Sequence, residues 1–174
     1  IAYLWARTVR CESPNCGAEL PLVRSFWLNK KAKRPRALRP VINRNGRKIP
    51  TVSFEVFSPK NEKEVTSGTS KRAKATCLCC GSTLSAERVR AQLSEEKGGT
   101  CVKFDDNGNR IGGAFLLAIV TLRPGEIGRA YRTSNLLDYK SIKAAQDKLS
   151  SIPEYLSNDI TTIPNESLPF MSGV

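Results

Sequence analysis

The 174-residue chain carries 28 Lys and Arg against 16 Asp and Glu, a formal charge of +12, with 40% apolar residues and no histidine. That apolar share is enough for a real core in about one domain. Without imidazole, Ser/His and Cys/His nucleophile pairs, mixed Cys/His zinc fingers and His-based metal catalysis are all excluded, and any metal falls to sulfur or carboxylate.

In chain order, the first residue is Ile1 rather than Met, which suggests a piece of a longer protein. "YLWARTVR" alternates aromatic and β-branched residues and predicts a strand ending at Cys11. "LPLVRSFWL" at 20–28 is a second strand candidate. Trp5, Phe26 and Trp27 are expected to fill the core beside the cysteines, with base stacking as their other role. "KKAKRPR" reads as a loop stopped by Pro35. "ALRPVI", the turn signal "NRNG" and "TVSFEVFS" predict a hairpin with a basic tip. Residues 58–70, rich in Ser, Lys and Glu, read as mobile.

"KRAKATC" leads into the second cysteine group, so "TVRC" and "KATC" are expected to lie near each other as paired strands. Ser85 can cap a short helix, "AERVRAQLSEEK", closed by Gly98 and Gly99. "TCVKFDD", the turn "DNGN" and a buried strand at 113–122 follow. "DDNGNRIGG" lacks the glycine and distal Glu of a calcium loop and reads as a hairpin turn. Neighbouring acids such as Asp105 and Asp106, or Glu95 and Glu96, point apart and offer no catalytic pair. "RPGEIG" reads as a turn and "RAYRT" as a strand. "LLDYKSIKAAQDKLS" is a helix whose Leu136, Leu137, Ile142, Ala145 and Leu149 recur at near-helical spacing. Residues 153–174 read as a tail or connector. The longest apolar run, at 111–122, falls short of the roughly 20 residues that cross a bilayer. With no export signal either, a cytoplasmic protein without a membrane partner is expected.

The cysteines carry the strongest signal. Cys77 and Cys80 form C-x-x-C followed by Gly81, and Cys11 and Cys16 form a pair with four residues between, followed by Gly17. A zinc knuckle must reverse tightly for two thiolates to converge, and a glycine after the second Cys accepts the positive φ of that reversal. Two such pairs supply four ligands to one structural Zn2+ ion, a closed site with no open position for water or substrate. Adjacent Cys79 and Cys80 and the missing export signal argue against disulfides. Cys79 reads as a bystander or substitute ligand, and Cys101 as a small buried hydrophobe. The fold expected is α+β, mainly antiparallel β, a zinc ribbon of two knuckles with hairpins and two short helices. Residues 1–122 form the ribbon-bearing domain and 123–174 a strand, helix and connector.

Charge is concentrated. Residues 1–50 hold twelve Lys and Arg against two Glu, while 101–174 hold eight of each sign, so the surplus is essentially N-terminal. Between Glu19 and Glu55 no acid occurs, and Arg24, Lys30, Lys31, Lys33, Arg34, Arg36, Arg39, Arg44, Arg47 and Lys48 accumulate in an excursion that attracts polyanions. The alternative is a solvated loop that keeps the protein soluble.

On "AYLWARTVRC" at 2–11, "CGAELPLVRSFWL" at 16–28, "ALRPV" at 37–41 and "ATCLCCG" at 75–81, with a weaker echo in "NRIGGAFLLAIV" at 109–120, the chain resembles adenine-specific DNA methylases that contain a zinc ribbon. The likeness covers about the first two thirds. Those enzymes use S-adenosylmethionine, with a Pro-Pro-aromatic motif for adenine and a glycine-rich strand end for the cofactor. No two of the ten prolines here are adjacent. The resemblance therefore implies the zinc-ribbon region of a methylase, non-catalytic by itself, with DNA and the parent methylase core as partners and S-adenosylmethionine bound only in that core. The competing expectation is a docking module for an acidic partner or the parent core.

Overall fold

Alternating and β-branched segments separated by Gly, Pro and Asn turns fold here into many short strands rather than a few long ones. The computed structural model describes residues 1–44, 46, 48–96, 98–122 and 128–152. Arg47, most of the "RPGEIG" turn and the 153–174 segment lie outside the described residues. The strands are β1 (Ala2–Ala6), β2 (Thr8–Arg10), β3 (Glu19–Pro21), β4 (Trp27–Asn29), β5 (Arg36–Asn43), β6 (Thr51–Phe57), β7 (Ser70–Lys71), β8 (Lys74–Thr76) and β9 (Thr83–Leu84). Helix α1 (Ala86–Glu95) follows, then β10 (Val102–Phe104), β11 (Arg110–Gly113), β12 (Phe115–Leu122), β13 (Arg129–Arg132) and α2 (Leu136–Ser150). All pairings among the described strands are antiparallel, and with the two helices they make the α+β class expected. No described helix is long and apolar enough to cross a membrane.

Two three-stranded sheets, β1-β12-β13 and β4-β5-β6, enclose the main core of Ala6, Val23, Phe26, Leu38, Phe54, Leu117 and Ala118. Central β12 is apolar on both faces because both are covered, and Leu116, Ala118 and Ile119 are fully buried. Phe26 packs at 5.4 Å from Phe54, which meets Phe115 edge-on at 5.7 Å. The expected core role thus holds for Phe26, away from the cysteines. Trp5 is 40% exposed and Trp27 half-buried, so neither fills a core.

A second core of Val9, Leu20, Ala75, Leu84 and Val89 lies beneath the cysteine knuckles. It is made by two hairpins, β2–β3 and β8–β9, with α1 laid over them. Here the expectation of paired "TVRC" and "KATC" strands is corrected. Each knuckle closes on its own return strand, Val9 opposite Leu20 and Ala75 opposite Leu84, and the two hairpins meet through side chains. The nearest partner in sequence closes the smaller loop, so it wins the backbone hydrogen bonds.

Residues 58–70 are also more ordered than their composition implies. Buried Thr69 accepts from the Val23 N–H at 2.9 Å through Oγ1 and donates to the Pro21 carbonyl, and Ser25 and Ser67 form a bridge. At Gly68 a β-carbon would stand 2.2 Å from the Arg24 carbonyl oxygen, so only glycine lets the two segments cross. The β7–β8 turn places Arg72 and Ala73 at φ of 50° and 62°, a left-handed geometry for which most hairpins use Asn-Gly. It costs about 1 kcal/mol per residue.

Helix α1 starts where expected, with Ser85 Oγ accepting from the Arg88 N–H. Helix α2 docks differently from its apolar spacing. Leu136, Leu137 and Leu149 are exposed, and the helix instead turns Tyr139, Ile142, Lys143 and Gln146 inward. Polar anchors decide its rotation: the Tyr139 hydroxyl accepts from the Leu116 N–H at 3.1 Å, and Gln146 Nε2 donates to the Val102 carbonyl.

The α2 start is fixed by a capping box in which Asn135 Oδ1 accepts from the Asp138 N–H and Asp138 accepts from the Asn135 N–H. Arg132 grips the same buried carboxylate through two hydrogen bonds of 2.7 Å and, as the main cause, holds Asp138 below the usual carboxylate range. A depressed folded pKa stabilises fully above the unfolded value of about 4 and is lost as pH falls through the folded one. Asp138→Asn should therefore lose about 1–2 kcal/mol at neutral pH, and its melting curve should converge on the wild type in acid. A gap that stays constant down to the acid limit contradicts this account.

Candidate metal centre

Each knuckle is built by its hairpin. Cys11 directly follows β2 and donates its N–H to the Ala18 carbonyl at 2.9 Å, while the Cys16 N–H reaches the Ser13 carbonyl at 3.0 Å. The second knuckle mirrors this, Cys77 donating to Ser82 at 2.8 Å and Gly81 to Cys77 at 2.9 Å. Gly17 and Gly81 adopt φ of 61° and 76°, the positive values for which a glycine was expected there.

The four Sγ atoms of Cys11, Cys16, Cys77 and Cys80 lie within 4.8 Å of one another and can hold a metal ion. The close pairs run between knuckles, Cys11 to Cys80 at 3.6 Å and Cys16 to Cys77 at 3.7 Å. Four sulfurs set tetrahedrally about 2.3 Å from one ion would be about 3.8 Å apart, so the spacing fits such an ion. Cys11, Cys16 and Cys77 are buried around Ala18, and Cys80 is exposed at the rim.

Protonation is uneven. Burial pushes the Cys11 thiol up to about 12 and also raises Cys16. Ser82, through its hydroxyl and its backbone N–H, brings Cys80 down to about 6, the direction that favours the thiolate a metal binds. Cys79 stands outside the four-sulfur group, half-buried against it, and is pushed up to about 12 by burial and then by the charge of Cys77. Cys101 is exposed and precedes β10, which corrects its expected burial within a strand.

The cations of the excursion are dispersed. Arg44 donates from Nη2 to the Cys79 carbonyl and braces the second knuckle, a role its sequence neighbourhood does not signal. Arg36 donates to Ser58 Oγ and the Pro35 carbonyl. Arg39 lies 4.2 Å from the Phe57 ring centroid, and being three residues from Arg36 on a strand it points to the other face. Lys30 sits 5.5 Å over the Trp27 ring. Lys31, Lys33, Arg34 and Lys48 are exposed, and Arg24 lines a concavity shared with residues far from it in sequence.

Ser82 and Arg44 tune and support the sulfur cluster without touching the ion position, and neither belongs to a recognisable spacing. Comparison with protein-family models, with curated proteins and with solved structures found no match to this chain.

Proposed function

We propose that the chain is the zinc-ribbon region of an S-adenosylmethionine-dependent adenine-specific DNA methyltransferase, and that it contributes DNA-backbone binding rather than methyl transfer. One observation carries the reading: two cysteine knuckles far apart in sequence bring four sulfurs to tetrahedral spacing. An all-sulfur tetrahedral set suits zinc, and with four protein ligands the ion holds structure and activates no water. Cys11, Cys16, Cys77 and Cys80 would hold it. A net charge of +12 supports a polyanionic partner, and the likeness of "CGAELPLVRSFWL" and "ATCLCCG" to the methylase ribbon supports DNA as that partner.

Phosphate contacts give affinity and register without reading bases. With about six of them, duplex affinity should fall with salt at a log-log slope of about −5. Fluorescence anisotropy on the zinc-loaded chain measures this. No binding at low salt, or an affinity indifferent to salt, overturns the reading. The second reading, docking on the parent catalytic core, is favoured by exposed Leu136, Leu137 and Leu149. It is the one left if DNA does not bind.

A further inference from the structure

A concavity of about 1030 Å³ lies on the ribbon, where Arg24 at the start of the excursion meets residues far from it in sequence. Among the described residues its cations are Arg7, Arg24, Lys71, Arg72 and Arg90, and no described carboxylate lines it. Arg7 sits between β1 and β2, Lys71 ends β7, Arg72 occupies the left-handed turn, and Arg90 is on α1. All five are exposed, and among the described residues none of their side chains makes an ion pair or hydrogen bond. Elsewhere on the ribbon cations are neutralised, as where Arg88 grips Glu12 at 2.8 Å. Five unpaired like charges around one hollow repel one another, and an anion seated there relieves that repulsion.

The floor is apolar, made by Leu22, Val89 and Leu93. Arg24, Ser70 and Lys71 also line a second hollow of about 500 Å³ that contains Trp27, Lys30 and one carboxylate, Glu62, so the two hollows adjoin across a shared wall and are taken together as one groove. The crossing at Gly68 and the Thr69 hydrogen bonds fix the segment between the two hollows.

We infer that this groove binds a single-stranded nucleic acid, its phosphates held by Arg7, Arg24, Lys71, Arg72 and Arg90 and a base stacked at Trp27. The inference rests on the nucleic-acid reading above and names a strand form and a surface that shares Arg24 and Lys30 with the excursion. Rim cations with an apolar floor and an aromatic platform match an unpaired strand, which exposes both phosphates and base faces. A duplex turns its base faces inward and offers the floor nothing. A soluble acidic peptide would satisfy the cations but leave Trp27 and the floor unused.

The test uses fluorescence anisotropy of a labelled thymidine strand of about twelve nucleotides, and of a duplex of the same length, with the zinc-loaded chain. Arg72→Glu/Arg90→Glu is compared with Lys31→Glu/Lys33→Glu, which makes the same change in charge on the exposed loop before β5. The groove variant should weaken single-strand binding about tenfold or more, and the loop variant by less than about threefold. Trp27→Ala should cost about tenfold with little change in salt slope. All replaced side chains are exposed or half-buried, and unchanged thermal melting confirms that the variants fold. Equal losses from the two charge variants, or a wild type that binds duplex more tightly than single strand, overturn the groove while leaving DNA binding intact. A wild type that binds neither form overturns both readings.

Discussion

Chelating zinc from the wild-type chain, or replacing Cys16 or Cys77 by Ser, is expected to abolish the cooperative melting of the ribbon. A structural zinc contributes an apparent free energy on the order of 10 kcal/mol, comparable to the whole stability of a domain. The knuckle hairpins have little else to hold them, because β2, β3, β8 and β9 are two or three residues long and their shared core has five buried apolar side chains. Elemental analysis should find one zinc per chain, and Cys79→Ser and Cys101→Ser should keep both the metal and the fold, because neither sulfur is in the cluster. Zinc binding should depend on pH. Burial pushes the Cys11 thiol up to about 12, so its proton competes with the metal. With zinc bound the same thiols must be ionised, so affinity falls as pH drops and binding releases protons, fewest from Cys80. A chelated chain that still melts cooperatively at the same temperature would falsify the structural role.

What the sequence made legible was local chemistry. Cys11, Cys16, Cys77 and Cys80 could be read as one set because a knuckle needs its spacing and its glycine within a few residues. The two helices, the β5–β6 hairpin and the turn before β11 were legible for the same reason, each having its cap or turn residues beside it. What failed was whatever depended on distant partners. Residues 58–70 look unstructured until Thr69 finds Val23 and Pro21, and α2 reads as docking through leucines until Tyr139 and Gln146 find backbone groups on other strands. The cations of the basic block, run together in sequence, are spread over β5 and its flanking loops, whereas Arg7, Lys71, Arg72 and Arg90 join Arg24 only because the two hairpins and α1 are brought together.

Arg110→Met is expected to lower the melting temperature by about 10 °C, the largest loss from a side chain outside the sulfur cluster. Arg110 is nearly buried, and its guanidinium makes a two-pronged pair with Glu19 of β3 at 2.6 and 2.8 Å. The same group donates to the Gly113 and Ala114 carbonyls at 2.9 Å and lies 4.8 Å from the Phe115 ring centroid. Thr8 Oγ1 lies within hydrogen-bonding distance of both Glu19 and the Gly113 carbonyl, so one charge pair clamps the first knuckle hairpin to the β11–β12 corner. Removing Arg110 strands a partly buried carboxylate and two carbonyls, a loss of about 3 kcal/mol. Lysine restores the charge but not the fork, and should recover less than half of that. The double variant Glu19→Met/Arg110→Met removes both charges, leaves no ion stranded, and should be more stable than Arg110→Met alone. If the two single losses merely add in the double variant, the clamp is not a coupled pair and the ribbon is joined to the sheets by packing alone.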